Sequence, residues 1–346
     1  MIFFDVTKMR SATHHSGLAR MSERLRTELG SAARAATWIE AREQAGAGDW
    51  FVTGELFSES ERPGVTAFVR SRKCRTAAIF ADAIPLKHPQ ITWPQSVARH
   101  PHYIKMLADF DRVWAISAAS REELAGYWRW LGLEQVPPVE VLPLGADFDG
   151  SPRVTRRREP SAVPALLCVG ILEPRKNQRF LLEVCEALWR EGLAFELHLV
   201  GRVNPHFGAA TVAHIKRLKK DFRGLFYHGA ARDETLAALY ASATATVFPT
   251  IAEGCGLPVL ESLWRGVPAV CSDLPVLREN VNGGGCLVAG ASDAAAWRTR
   301  LRDVIERGPA YERMAQEAQI RALPTWSESA EVLRAALLQA HSRLTA

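Results

Sequence analysis

No apolar stretch in the 346 residues approaches the roughly 20 needed to cross a bilayer, so no membrane-spanning helix is expected. The opening, Met1-Ile-Phe-Phe-Asp-Val-Thr7, meets an acid at its fifth position. It lacks a basic start, a long apolar segment and a small-residue cleavage site, so it reads as a first strand and not as a secretion signal. The six cysteines (Cys74, Cys168, Cys185, Cys255, Cys271 and Cys286) contain no Cys-x-x-Cys pair, and neither a disulfide framework nor a zinc site is indicated. Several lie inside apolar runs, as small buried hydrophobes of a reducing compartment do, and a cytoplasmic location is the expectation. Internal repeats and low-complexity tracts are missing as well. The net charge is only +5. Residues 1–150 balance at 18 basic against 18 acidic, and the whole excess falls in 151–346 with 25 against 20. The basic runs Arg156-Arg-Arg158 and Lys216-Arg-Leu-Lys-Lys220 come with no zinc-finger spacing or RNA-recognition signature, so they read as solvated faces and nucleic acid is not an expected partner.

What is present suits two ordinary globular domains: 47% apolar and 23% charged residues over a length sufficient for two cores. Phe148 to Pro164 is rich in proline, glycine, serine and charge without apolar periodicity, a linker composition. The expected domains are residues 1–150, a linker at 151–164, a second domain at 165–325 and a C-terminal helix over 326–346. Downstream, strand-like runs at Ala165–Leu172, Phe195–Gly201, Leu225–Gly229, Thr244–Thr250, Pro268–Asp273 and Cys286–Ala289 alternate with helical patterns. That alternation predicts an α/β, doubly wound parallel sheet. Upstream the candidates are Ile2–Val6, Trp50–Thr53, Ala77–Ala81, Val113–Ser117 and Val139–Leu142.

Two loops carry chemistry. Between Glu253 and Glu261 the chain reads Glu-Gly-Cys-Gly-Leu-Pro-Val-Leu-Glu, after an apolar run and before a helix beginning near Leu257. Glycines at a strand-to-helix turn let backbone approach a ligand, and the free amides of the helix's first turn favour phosphate or polarised hydroxyls. The alternative is that the two glutamates only complement the helix's positive end. Cys255, between the glycines, reads as a packing residue. The second loop, Glu173-Pro-Arg-Lys-Asn177, places Arg175 and Lys176 at a helix entry. Cations there are disfavoured by roughly 0.3–1 kcal/mol each unless something negative intervenes. A diphosphate would supply that charge, and the alternative is a solvated turn. Both loops lie at carboxyl ends of strands, where open parallel sheets bind ligands.

These residues resemble a known family. Val169-Gly170 with Arg175-Lys176-Asn177, and then Glu253 through Glu261, are similar to the donor half of the retaining GT-B glycosyltransferases of the lipopolysaccharide mannosyltransferase-like group (glycosyltransferase family 4 type). Val141-Leu-Pro-Leu-Gly-Ala-Asp147, Trp114-Ala-Ile-Ser117 with Ser120, Asp82-Ala-Ile-Pro-Leu86 and Ser16-Gly17-Leu18-Ala19-Arg20 resemble segments of its first domain. The resemblance implies a GT-B fold, two Rossmann-like domains facing a cleft, with an acceptor-side domain first and a nucleotide-sugar donor domain second. It also implies sugar transfer with retention from a nucleoside diphosphate donor, GDP-mannose first and UDP-sugars next, to a glycan or lipid-linked glycan, without a metal or other cofactor. Arg175 and Lys176 would hold the diphosphate and Glu253 the sugar hydroxyls. The Gly256 and Leu257 amides would lie beside sugar and phosphate, Glu261 would take the ribose, Gly17 would let the first loop close, and Asp82 would be a site residue or a turn cap. One departure stands out, since the group carries a histidine before that aspartate and this chain has Ala81. Either His14 or His15 takes over its contacts, or the donor hydroxyl is held differently, or the chain is a weakened enzyme.

Other classes compete. Asp109-Phe-Asp111 and Asp147-Phe-Asp149 are the kind of pair that holds a divalent metal in GT-A glycosyltransferases. Gly254-Cys-Gly256 is a partial dinucleotide fingerprint, weakened by Val259 at the third glycine position and Pro258 before it. A non-catalytic sugar-nucleotide binder is a further possibility. Tyr127-Trp-Arg-Trp-Leu131 is an aromatic and basic cluster suited to peripheral membrane contact or, alternatively, to packing on the sheet.

Overall fold

The structure is a computed structural model that describes residues 1–11, 17–156 and 162–342. The chain divides into two compact units, Met1–Phe148 with Pro324–Ala346, and Asp149–Leu323.

Short runs of β-branched, aromatic and small apolar residues form the strands of the first unit: β1 (Ile2–Asp5), β2 (Ala33–Ala36), β3 (Trp50–Thr53), β4 (Arg75–Phe80), β5 (Arg112–Ala115) and β6 (Val139–Val141). They pair in parallel in the order β2-β1-β3-β4-β5-β6. β2 departs from the sequence expectation. Its Ala-Arg-Ala-Ala has no β-branched or aromatic residue, and it becomes a strand through pairing with β1, Ile2 opposite Ala33. Helices cover the sheet because parallel strands are joined by crossovers. Their apolar faces bury Phe51, Phe68, Phe80, Tyr103 and Trp128 in one core. The C-terminal helix Trp326–Ser342 packs against the helix Gly17–Leu29 and buries Trp326, Leu333 and Leu337. The Trp50 indole donates to the Leu337 carbonyl at 3.2 Å.

The second unit holds β7 (Ala165–Val169), β8 (Glu196–Val200), β9 (Leu225–Tyr227), β10 (Ala245–Phe248), β11 (Ala269–Ser272) and β12 (Cys286–Ala289). These too are parallel, in the order β12-β11-β10-β7-β8-β9. The chain winds outward from β7 to β9 and then crosses back to lay β10 on the other flank of β7. The chain thus reverses its winding direction between β7 and β10, the point in an open α/β sheet whose carboxyl end binds ligands. Leu166, Leu181, Leu197, Val247 and Trp297 are fully buried around this sheet. The close layering at the mouth of β7 is set by Gly201, where an added Cβ would lie 1.9 Å from the Gly170 carbonyl oxygen.

Among the described residues no helix is long and apolar enough to cross a membrane. All six cysteines are buried and unpaired.

Candidate functional site

The loop after β7 begins at Gly170 and turns through a short 3-10 segment, Pro174–Lys176. Asn177, in the left-handed region at φ 56°, then starts the helix Gln178–Arg190. Asn177 is held by donating to the Ala291 carbonyl at 3.2 Å, and Gln178 donates to the Ile171 carbonyl at 2.9 Å. Arg175 and Lys176 thus stand one turn ahead of the helix, on the 3-10 segment. They are not in a solvated turn. Their side chains are 22% and 13% exposed, and both meet Glu253 from the loop after β10.

Lys176 Nζ lies 2.6 Å from Glu253 Oε1, and Arg175 Nη1 lies 3.1 Å from Glu253 Oε2. Thr250, at the end of the same apolar run, has its hydroxyl 2.8 Å from Glu253 Oε1. Burial would raise the Glu253 carboxyl, but the Lys176 and Arg175 charges and the Lys176 and Thr250 hydrogen bonds outweigh it and hold it at about 2. Glu253 is therefore a carboxylate at every physiological pH. The two loops are also stitched by backbone, with the Ile251 amide donating to the Arg175 carbonyl at 2.9 Å and Arg175 Nη1 donating to the Ala252 carbonyl at 3.0 Å.

Beyond Glu253 the chain reaches Gly256 at φ 75° and enters the helix Leu257–Trp264, with Leu257 as its first residue and Pro258 in the first turn. An added Cβ at Gly256 would lie 2.3 Å from Leu277 Cδ2, so this bend admits only glycine without distortion. Asn280 Nδ2 donates to the Cys255 carbonyl at 2.6 Å and braces the bend from the helix Pro275–Val281. Glu261 lies one turn along the helix and is buried at 5% exposure. Burial raises the Cys255 thiol to about 12, so it is unreactive packing material.

In the first unit, Gly17 begins the helix Gly17–Leu29, and an added Cβ there would meet nothing within 4 Å. Ser16 and the candidates His14 and His15 lie outside the described residues. Asp82 caps its own turn, accepting from the Ile84 amide at 3.0 Å. Its carbonyl accepts from His100 Nε2 at 3.0 Å, and burial lowers that imidazole to about 4, leaving it neutral. The two Asp-x-Asp pairs serve structure. Asp111 accepts from the Thr76 amide at 2.7 Å, Asp109 pairs with Arg70, Asp147 accepts from the Trp326 amide at 2.7 Å, and Asp149 pairs with Arg265.

Thr250, Asn280, Glu173 and His100 are the residues that sequence reasoning missed. Thr250 sits three positions before Glu253 and could have been suspected. The others are polar residues in helices or turns with no local signal, and only folding shows what they hold.

The fold and this pair of loops define a class. The architecture is GT-B, shared with sucrose-phosphate synthase from Thermosynechococcus elongatus at a TM-score of 0.68 and 20% identity over 85% of this chain and 74% of that one. It is shared too with alpha,alpha-trehalose 6-phosphate synthase from Burkholderia multivorans, at a TM-score of 0.65 and 12% identity over 96% and 77%. Residues 163–307 match the family described as Glycosyl transferases group 1. Among curated relatives, the serotype-specific mannosyltransferase WbdA of Escherichia coli is 30% identical over 245 residues, 66% of this chain and 29% of that protein. The O-antigen chain mannosyltransferase B of Escherichia coli is 38% identical over 133 residues, 38% of this chain and 34% of that protein. The match thus spans about a third of the length of these relatives.

Proposed function

We propose that this protein transfers a hexosyl group, mannose from GDP-mannose in the first instance, from a nucleoside diphosphate donor to a glycan or lipid-linked glycan acceptor. The transfer would retain configuration at the anomeric carbon and use no metal. The observation that carries the reading is the convergence of Arg175, Lys176 and Glu253 at the carboxyl ends of β7 and β10. A crevice at this position of a doubly wound sheet is where a phosphorylated ligand binds.

In this reading Arg175 and Lys176 neutralise the charge that grows on the diphosphate as the glycosidic bond breaks, a role worth several kcal/mol where water is scarce. Glu253 accepts hydrogen bonds from donor sugar hydroxyls, the Gly256 and Leu257 amides lie beside the sugar and phosphate, and Glu261 takes the ribose hydroxyls. The leaving phosphate serves as base for the acceptor hydroxyl, so no further carboxylate is required. Roles for Gly17 and Asp82 rest on the resemblance alone. Similarity to a serotype-specific mannosyltransferase and to an O-antigen chain mannosyltransferase supports mannose as the sugar.

Thermal unfolding with a panel of nucleoside diphosphates tests the site. A ligand at a hundred times its dissociation constant adds about 2.7 kcal/mol. GDP or UDP should raise the melting temperature of the wild type and leave that of Lys176→Ala unmoved. An equal shift in that variant would remove the phosphate role. Donor consumption measured with and without acceptor separates transfer from binding alone.

A further inference from the structure

The two cations are held very differently. The Arg175 guanidinium donates to Glu173 Oε1 from Nε at 3.1 Å and from Nη2 at 2.9 Å, to the Ala252 carbonyl at 3.0 Å, and pairs with Glu253 Oε2 at 3.1 Å. Glu173 is itself fixed by Asn204 Nδ2 at 3.1 Å, a side chain buried at 2% exposure. Lys176 Nζ meets one acceptor among the described residues, Glu253 Oε1 at 2.6 Å. Two cations and two carboxylates make a cluster of zero formal charge. An arriving diphosphate therefore finds both side-chain cations already paired and must take one away from a carboxylate.

We propose that Glu253 is the resident counter-ion from which an arriving diphosphate must take Lys176. Nucleoside diphosphate binding moves Lys176 Nζ from Glu253 to the phosphate oxygens, and re-forming the Lys176–Glu253 contact expels the nucleoside diphosphate product. The proposal rests on the donor-site reading above. Arg175 stays in place because three bonds other than the Glu253 pair hold it. Lys176 changes partner because a flexible four-carbon stem carries its charge.

The exchange sets selectivity. Once Lys176 leaves, Glu253 is a buried carboxylate retaining Thr250 and Arg175, and an under-satisfied buried charge is costly. A donor carrying a hexose restores the lost hydrogen bonds through its hydroxyls. The product has no hexose and leaves the carboxylate wanting. Glu253 thereby discriminates donor from product, weakening the product's hold on the site without touching the phosphates.

Isothermal titration of GDP, GDP-mannose, UDP and UDP-glucose into the wild type and Glu253→Gln tests the exchange. The amide keeps the shape and removes the competing charge. The free diphosphate should bind the variant about tenfold tighter, within the usual range for coupling between two groups. Its sugar nucleotide should gain less, so the donor-to-product affinity ratio falls. Unchanged or weaker diphosphate binding by folded Glu253→Gln overturns the exchange. If that variant does not fold, Glu253→Asp, one methylene shorter, should shift diphosphate affinity in the same direction, and its failure to do so is equally decisive. A wild type that binds neither diphosphate overturns the donor-site reading, and the exchange falls with it.

Discussion

Lys176 and Glu253 touch at 2.6 Å although 77 positions separate them, because β7 and β10, which lead into their loops, are hydrogen-bonded neighbours. The contact makes stability depend on pH with a definite sign. Glu253 titrates at about 2 in the folded state against an ordinary 4.5. A lowered carboxyl contributes stability that is present above its unfolded value and lost as pH falls from about 4.5 towards 2. The shift corresponds to about 3 kcal/mol as an order of magnitude. Urea unfolding of the second unit should weaken over that window in the wild type, and Glu253→Gln should flatten the dependence. A slope identical in both proteins would contradict the assignment.

The glycines at the two loops predict graded damage. Gly201→Ala drives a methyl into the Gly170 backbone carbonyl, which has no room to yield, and should cost more than about 3 kcal/mol or prevent folding. Gly256→Ala meets the movable end of Leu277 but must also hold φ near 75°, for which about 1–3 kcal/mol is expected. Nucleotide binding should suffer more in Gly256→Ala than its stability does, since the bend itself faces the proposed ligand. Melting curves with and without GDP give both quantities.

The first unit contains a buried ionic cluster whose removal has a pH signature. Arg62 lies 2.6 Å from Asp5 and also pairs with Glu55, all three almost wholly buried. Burial and the Asp5 charge raise the Glu55 carboxyl. Arg62→Met strands two carboxylates and should cost about 3–5 kcal/mol near neutral pH. A raised carboxyl favours the folded state below its unfolded value and loses that advantage as pH rises through the folded one. The penalty of Arg62→Met should therefore be smaller at acidic than at neutral pH, because protonating the raised Glu55 carboxyl removes one of the two stranded charges. Chemical denaturation at acidic and at neutral pH measures it, and a penalty that grows on acidification would refute the argument.

The aromatic cluster Tyr127–Leu131 is split by its helix. Trp128 is buried at 2% exposure, and its indole donates to the Ile104 carbonyl at 2.9 Å, whereas Trp130 is 80% exposed. Trp128→Ala should cost about 3–5 kcal/mol. Trp130→Ala should stay within about 0.5 kcal/mol. If the exposed ring contacts lipid surfaces, Trp130→Ala should reduce co-sedimentation with anionic vesicles while leaving the melt unchanged. Equal sedimentation of the two proteins would exclude that ring as an anchor.

Much of the architecture was legible because buried parallel strands must be short apolar runs, and eleven such runs stand out against polar turns. β2 was not, since Ala33-Arg-Ala-Ala36 has no strand character of its own and depends on β1 for its shape. In the site, Arg175, Lys176, Glu253 and Gly256 were visible because cations ahead of a helix and glycines after a strand break local rules, and broken local rules point to function. Asn280, Glu173 and His100 break no such rule. Each is an ordinary polar residue until the fold brings a carbonyl or a guanidinium within reach.

The order of apolar runs and turns, read along the chain, determined two doubly wound α/β units and the chemical character of the loops after β7 and β10. The tertiary structure alone decided that β10 lies beside β7, and therefore that the carboxylate shared by Arg175 and Lys176 in the free protein is Glu253. Strand order is a long-range choice, settled by which apolar faces bury best against one another, and the local sequence of either loop carries no record of it.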